Sequence, residues 1–342
     1  MSGQMSENSK RIAFWDMAKG LVMLLVIVGH VDGVPLLIRG LIFSFHMPFF
    51  FMANGFFIKN YDIKRTFRRS VRTLLLPYGV VCAISMVIFV IQNINSGYTV
   101  WEIAWRKIQA ALLGMSNSSA IFTTVDSVWL VWFVICLFAA RNIYVIIMHF
   151  IGRWHVAVQG GVMAALSAAG AIIGVKLAYL PWSLDVAFAS LIFIWCGNML
   201  SKYQLFERTF WKVVIPAVIV WAVPLALMIK IELATRSYPY GPVPFLEAIA
   251  GSLVVAGFFC FLEKKNVDLR FLSWVGKNSI VFLAVHCLEM MYIDWDGCIY
   301  PLLPFNVPWF LSIIIRCIFI ILVSFLFVKV KGTIKACRRK VN

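Results

Sequence analysis

The chain has 342 residues, of which 62% are hydrophobic and only 13% are charged, and its mean hydropathy is +0.89. Soluble domains contain roughly 45–50% apolar and about 25% charged residues, so this composition excludes a soluble protein and leaves no room for a large soluble domain. The net charge is +16. Because lysines and arginines in short loops set the topology of membrane proteins, this excess does not indicate nucleic-acid binding.

Apolar segments of about 20 residues, each long enough to cross a bilayer as a helix, follow one another along the chain. They predict an all-α, polytopic membrane protein whose single domain covers residues 1–342. Basic residues concentrate in alternate connections, and this bias places both termini in the cytoplasm. No small-residue cleavage site follows the first apolar segment, so we expect a retained span rather than a removed signal peptide. The ten predicted spans are residues 12–32, 36–58, 73–92, 128–148, 156–174, 183–200, 213–230, 245–262, 278–295 and 309–328.

Three longer connections are predicted on the outer face. Residues 93–127 contain a candidate amphipathic helix from Trp101 to Leu113, which is typical of a segment that lies in the membrane interface. Residues 231–244 contain three prolines and a glycine, which exclude a regular helix. Residues 294–308 combine acidic and aromatic side chains. Such groups often hold sugars by hydrogen bonds and ring stacking, and the alternative is an ordinary interfacial aromatic belt.

Histidines occur in both of the first two spans, where lipid accepts only apolar groups. An ionisable side chain at membrane depth is costly and therefore indicates a functional site. His30 lies near the outer end of the first span, and histidine is the usual general base for removing a hydroxyl proton. Asp16 lies about 21 Å away along the helix, so it can pair with Lys19 but cannot orient His30. His46, about midway along the second span and followed by Pro48, has either a functional or a structural role.

The densest basic stretch before the C-terminal tail, KNYDIKRTFRRSVR, follows directly after the second span. Within it, Arg69 and Arg72 stand at i and i+3 and share one helix face. Guanidinium groups bind phosphates through paired hydrogen bonds. The alternative is a topology anchor that contacts anionic lipid. Beside buried histidines, the arginine pair suggests a phosphorylated donor that binds at the inner surface and extends its reactive end into the bilayer.

Further ionisable residues lie in later spans. His286 and Glu289 stand at i and i+3 in the ninth span, so the carboxylate can hold the histidine tautomer. Arg316 in the tenth span must find a partner, and Glu289 is the candidate because both lie toward the outer half. Arg141 is another basic residue within a span. We predict neither disulfides nor a metal site, because the eight cysteines form no CxxC motif and too few other metal ligands can be placed.

Four segments together are similar to a known family. They are RIAFWDMAKGLVMLLVIVGH, FSFHMPFFFMANGFF, FRRSVRTLLLPY and, at 128–138, VWLVWFVICLF. They resemble the acyltransferase 3 family of integral membrane O-acyltransferases, and in particular its fucose 4-O-acetylase-like group. The resemblance covers most of the chain in its ten-span layout and is most specific over residues 11–78.

The resemblance implies that an acyl group, usually acetyl, moves from cytoplasmic acetyl-CoA to a hydroxyl of a glycan or lipid-linked sugar at the inner membrane of a bacterium. It makes His30 catalytic and assigns Arg69 and Arg72 to the CoA donor. Acetyl-CoA is then a substrate, no metal is expected, and the partners are the acceptor and membrane lipids. Other positions that match family motifs are Arg11, Asp16, His46, Pro48, Gly55, Trp132 and, by a looser match, His286.

Two other functions are compatible with the residues. A proton-coupled transporter or flippase for a glycolipid or a small organic acid would use the buried histidines and Arg316 as a proton relay. A membrane-bound sensor or scaffold would keep the fold without chemistry. A product that depends on acyl-CoA would distinguish the enzyme from both alternatives.

Overall fold

The computed structural model describes residues 13–117, 126–176, 179–303 and 306–341. Across these ranges the chain is almost entirely helical, and the β-structure is limited to an isolated bridge between Glu232 and Ser237. The helices are α1 (Ala13–Gly29), α2 (Leu36–Phe43), α3 (His46–Phe56), α4 (Ile63–Ser70), α5 (Leu76–Asn93), α6 (Val100–Leu113), α7 (Trp132–Ile151), α8 (Val156–Lys176), α9 (Leu184–Ala189), α10 (Leu191–Lys202), α11 (Leu205–Arg208), α12 (Phe210–Ala226), α13 (Val243–Lys264), α14 (Arg270–Lys277), α15 (Ser279–Tyr292) and α16 (Trp309–Val341).

Six helical segments of the described chain are long and apolar enough to cross a bilayer, and two bent helix pairs raise this number to eight. In the first pair, the segment Pro181–Ala189, which includes α9, meets α10 at a bend of 54°. In the second pair, α14 meets α15 at a bend of 73°. α1 and α12 are shorter, with 17 residues each. A helix lies over every predicted span, which confirms an all-α, multi-pass membrane protein. The number of ten spans and the cytoplasmic position of both termini stay predictions.

The second predicted span is broken just before His46. α2 ends at Phe43, Ser44 and Phe45 form a turn, and α3 begins at His46. His46 nevertheless lies about midway along the span Leu36–Phe56, as predicted, at the point where the helix is interrupted. The physical reason is Pro48, which has no amide hydrogen and is tolerated in the first turn of a helix, where that hydrogen would have no partner. The break places the His46 side chain at the start of a helix.

Two predicted outer connections have the expected form. The amphipathic candidate is helix α6, and Thr99 and Glu102 close its start as a reciprocal capping box. The segment before α13 is irregular, and a buried ion pair holds it: Arg236 donates to both oxygens of Asp185 at 2.7 and 3.2 Å. The Arg236 guanidinium also lies 3.9 Å from the centre of the Tyr179 ring. This segment borders the cavity that contains the histidines.

Close backbone contacts through glycine join α3 to α10. A Cβ atom added at Gly55 would collide with the carbonyl oxygen of Ile194, and one added at Gly197 would collide with that of Met52. Small residues allow such close approach of membrane helices, where van der Waals packing replaces the hydrophobic effect as the driving force. The contact fixes α3, and with it His46, against the centre of the bundle.

We expect Gly55→Ala to destabilise the protein by on the order of 1–3 kcal/mol, because backbone atoms of α10 must move to admit the methyl group. The measurement is the midpoint of thermal unfolding of the purified protein in detergent. The matched control is Gly161→Ala in α8, where an added Cβ meets nothing within 4 Å. Equal midpoints for Gly55→Ala and Gly161→Ala would show that the α3–α10 contact is not tight.

Candidate active site

A cavity of about 980 Å³ lies between the helices. Its lining residues come from both ends of the helix bundle. Its cationic end contains Lys19, Arg69 and Arg141. Its histidine end contains His30, His46 and Arg316. Lys19 is near the start of α1 and His30 directly follows its end, so the two residues lie about 16 Å apart along the helix. The cavity therefore joins a cluster of positive charge to the buried histidines.

His30 is held in one ring orientation by the backbone of its own helix. Its Nδ1 lies 2.7 Å from the carbonyl oxygen of Val26. A carbonyl oxygen can only accept, so the Nδ1 of the neutral ring carries the hydrogen and Nε2 keeps its lone pair. Asp16 does not line the cavity and instead pairs with Lys19 at 2.9 Å, as predicted from their spacing. The fixed tautomer leaves Nε2 of His30 available as a base.

His286, Glu289 and Arg316 form a buried series that reaches His30. The ring centres of His30 and His286 are 5.5 Å apart and the rings meet edge to face. Nδ1 of His286 lies 3.7 Å from a carboxylate oxygen of Glu289, which is an electrostatic contact longer than a hydrogen bond. Arg316 donates to both oxygens of Glu289, at 2.5 and 3.2 Å. The predicted pairing of Glu289 with Arg316 is confirmed. The Glu289 carboxylate also lies beside His286, whose ring nitrogens make no hydrogen bond with the described residues.

His46 approaches this group from the start of α3. Its Nδ1 lies 3.0 Å from the carbonyl oxygen of Ile42, so it has the same tautomer as His30. The Phe43 ring lies between the two histidines, with ring centres 4.9 Å from His46 and 5.8 Å from His30. Trp132, at the start of α7, lines the same cavity. His46 and Trp132 are thus part of the cavity wall that also contains His30.

The two arginines of the predicted phosphate site differ in position. Arg69 lines the cationic end of the cavity, whereas Arg72 is exposed and does not line it. Both side chains are exposed, and Arg72 lies in a π-helical turn, Val71–Leu75, that joins α4 to α5. The prediction that the two arginines act together on the CoA donor stays a prediction. Arg11 lies outside the described residues.

Beyond the histidine end, the cavity opens between acidic and aromatic side chains. We call these residues the acidic rim: Asp32, Glu232, Asp294, Asp296, Trp129 and Trp295. Asp294 accepts hydrogen bonds from its own turn, and Lys230 pairs with Glu232 at 2.8 Å. The carboxylates of Asp32 and Asp296 have no hydrogen bond or ion pair with any other residue that the structure describes. The predicted acidic and aromatic outer loop therefore borders the cavity itself.

A family model for an acyltransferase domain, that of the acyltransferase 3 family, matches residues 12–329. The chain belongs to the acyltransferase 3 family. No curated protein and no solved structure matches it. Membership makes the protein a membrane acyltransferase, and it agrees with a fold in which several helices are able to span a bilayer.

This acyltransferase also brings two further arginines to the cavity that sequence reasoning did not assign to the site. Arg39, in α2, lines the histidine end and donates from Nε to the carbonyl oxygen of Gly29, at 3.0 Å. Arg141, in α7, lines the cationic end. The available signal was a basic residue inside a predicted span, and it applied to Arg141. The sequence did not indicate Arg39 in this way, because Arg39 lies near the start of its predicted span, where a basic residue next to a loop is ordinary.

We expect Glu289→Gln to lower the unfolding midpoint strongly, because removal of one partner of a buried ion pair leaves the other charge unpaired, at about 3–5 kcal/mol. The double variant Glu289→Gln with Arg316→Gln should recover most of this stability, since no charge is then left without a partner. Thermal unfolding in detergent measures both. A double variant no more stable than Glu289→Gln would show that the ion pair does not act as a unit.

Proposed function

We propose that this acyltransferase moves an acetyl group from cytoplasmic acetyl-CoA to a hydroxyl of a glycan or lipid-linked sugar. The observation that supports this reaction is the single cavity that joins a cationic end to a histidine with a free Nε2. A donor with phosphates at one end and a thioester at the other fits such a cavity. The acceptor enters from the acidic rim, where carboxylates and tryptophans suit hydroxyl groups and sugar rings.

His30 acts as the general base in this proposal. Its Nε2 takes the proton of the acceptor hydroxyl while the hydroxyl oxygen attacks the carbonyl carbon of the thioester. The carbon–sulfur bond then breaks, and the leaving CoA thiolate takes the proton from His30. Arg39 lines the cavity near His30, and its positive charge favours the oxyanion that forms during the attack.

Two features favour general-base chemistry over transient transfer of the acetyl group to His30. The hydrogen on Nδ1 is engaged by the Val26 carbonyl, so acylation at Nε2 would leave a positively charged acyl-imidazolium in the ring. That cation would persist near Arg39, where like charges are unfavourable, until the acceptor hydroxyl attacks it. In the general-base route, in contrast, the protonated His30 ring becomes neutral as soon as the leaving thiolate takes its proton.

We also propose the orientation and the compartment. The cationic end faces the cytoplasm of a bacterial inner membrane and the acidic rim faces outward, as the bias of basic residues towards one side predicts. In this orientation the donor comes from the compartment that makes acetyl-CoA, and the acceptor can be a glycan already moved to the outer side.

We expect His30→Ala to reduce acetyl transfer by about 10²–10⁴-fold, the range that a positioned general base contributes. Membranes that contain the protein are supplied with radiolabelled acetyl-CoA, and label is counted in the glycan and glycolipid fractions before and after mild alkali, which removes O-esters. The matched control is His155→Ala, a change at an exposed histidine that does not line the cavity. Full transfer by His30→Ala would overturn the assignment of this residue.

The same membranes also test the transporter alternative when movement of the glycolipid and release of free CoA thiol are measured beside the label. A flippase or transporter moves its substrate without adding acetyl, so labelled ester would be absent although the acceptor still changes side. An alkali-labile label that requires the protein supports the enzyme. Movement of an unmodified glycolipid, with no release of free CoA thiol from acetyl-CoA, would overturn the proposed reaction.

A further inference from the structure

Arg141 is a partly buried cation of the cavity wall, and no carboxylate in the part of the chain that the structure describes forms an ion pair with it. It lies in α7, ten residues before the end of that helix at Ile151, and so is about 15 Å from the helix end. Its Nε is buried and has no hydrogen-bond partner, and among the described residues no carboxylate pairs with its guanidinium. Arg141 nevertheless lines the cavity.

The surroundings of Arg141 make its charge more unfavourable, not less. The nearest charge that acts on it is the like charge of Arg69, on α4, which packs against α7. Every described carboxylate that lines the cavity belongs to the acidic rim, beyond the histidine end. Lys19 is the one cation of this end with a carboxylate partner, Asp16. Buried charges in proteins are normally paired, because the desolvation of an unpaired ion is expensive.

Two neighbouring arginines that line a cavity and have no carboxylate partner are typical of an anion-binding site without its ligand. Two guanidinium groups offer several planar donors, and they match the oxygens of a phosphate in paired hydrogen bonds. The remaining polar groups at this end, Asn54 and Thr73, are neutral and do not compete for the arginines. Arg72 does not line the cavity, so it does not belong to this inner pair of arginines.

We propose that Arg69 and Arg141 together bind the diphosphate of the acyl-CoA donor, with Arg141 as the innermost contact. This assignment rests on the proposed function. α7 runs from Trp132, near the histidine end, towards the cytoplasmic side, and Arg141 lies about halfway. The diphosphate is the charged group of CoA next to the pantetheine arm, so it is the group that a deep arginine meets. The 3′-phosphate of the ribose remains nearer the entrance, within reach of Arg72.

The test is equilibrium binding of radiolabelled CoA, dephospho-CoA and pantetheine to the purified full chain in detergent. We expect Arg141→Gln to weaken binding of CoA and of dephospho-CoA by the same factor, about 10- to 100-fold, since charge-assisted hydrogen bonds are lost. Binding of pantetheine, which has no phosphate, should be equal in the variant and the wild type. Arg72→Gln should have a smaller effect, confined to CoA because dephospho-CoA lacks the 3′-phosphate.

Two controls separate ligand binding from folding. Arg68→Gln removes an exposed cation of the same helix as Arg69 that does not line the cavity, and should leave all three affinities unchanged. Arg141→Lys keeps the charge but loses the planar donors, so its affinity for CoA should be intermediate. Without ligand, Arg141→Gln should unfold at the same or a higher temperature than the wild type, because a buried unpaired charge has been removed.

Three results would overturn the assignment. Wild-type affinity for CoA in Arg141→Gln would show that the arginine does not contact the donor. A loss of pantetheine binding as large as the loss of CoA binding would show a general disturbance of the cavity. If the wild type, in a preparation that unfolds cooperatively, does not bind CoA, the proposed function and this assignment are both overturned. The first two results overturn only the assignment of Arg141.

Discussion

Hydrocarbon solvates neither charges nor unpaired backbone groups, and this constraint governs where polar residues lie within the spans. Glu289 pairs with Arg316, and His30 and Arg141 face the cavity. Glu247, in α13, departs from this pattern, because it is fully buried, does not line the cavity, and its carboxylate has no hydrogen-bond partner among the described residues. The break between α2 and α3 obeys the same rule. Irregular backbone at membrane depth is tolerated where it lies inside the protein, and Ser44 and Phe45 are both buried.

The histidine end is organised before any ligand arrives. The Val26 and Ile42 carbonyls fix the tautomers of His30 and His46, and His286 lies beside His30 with the Glu289 carboxylate next to it. These contacts come from helix ends and from side chains on separate helices, so the rings need little reorganisation during a reaction. A preorganised polar site in a dry surrounding stabilises charge more effectively than water does, because its dipoles are already aligned.

Hydropathy alone predicts where the helices lie, and a charge inside a span predicts a partner on another span, as it did for Glu289 and Arg316. Spacing within one helix is equally reliable, as the Asp16–Lys19 pair shows. Local departures from the α-helix are not predictable in this way. Pro48 indicates a break in the second span but not that the new helix begins at His46, and no residue of the sequence indicates the π turn at Arg72. The position of Arg39 depends in turn on the α1–α2 connection.

The opposite charges of the two cavity ends favour group transfer over transport. A transporter binds one substrate at a site near the midplane and opens that site to each side of the membrane in turn. Here the cationic end suits an anion, whereas the acidic rim disfavours an anion and suits neutral polyols or cations. Two different ligands that meet at His30 satisfy both ends, and a single ligand that passes through satisfies only one. In the proposed reaction an anionic acceptor would have to approach past Asp32 and Asp296, so we expect neutral acceptors to be preferred over acidic ones.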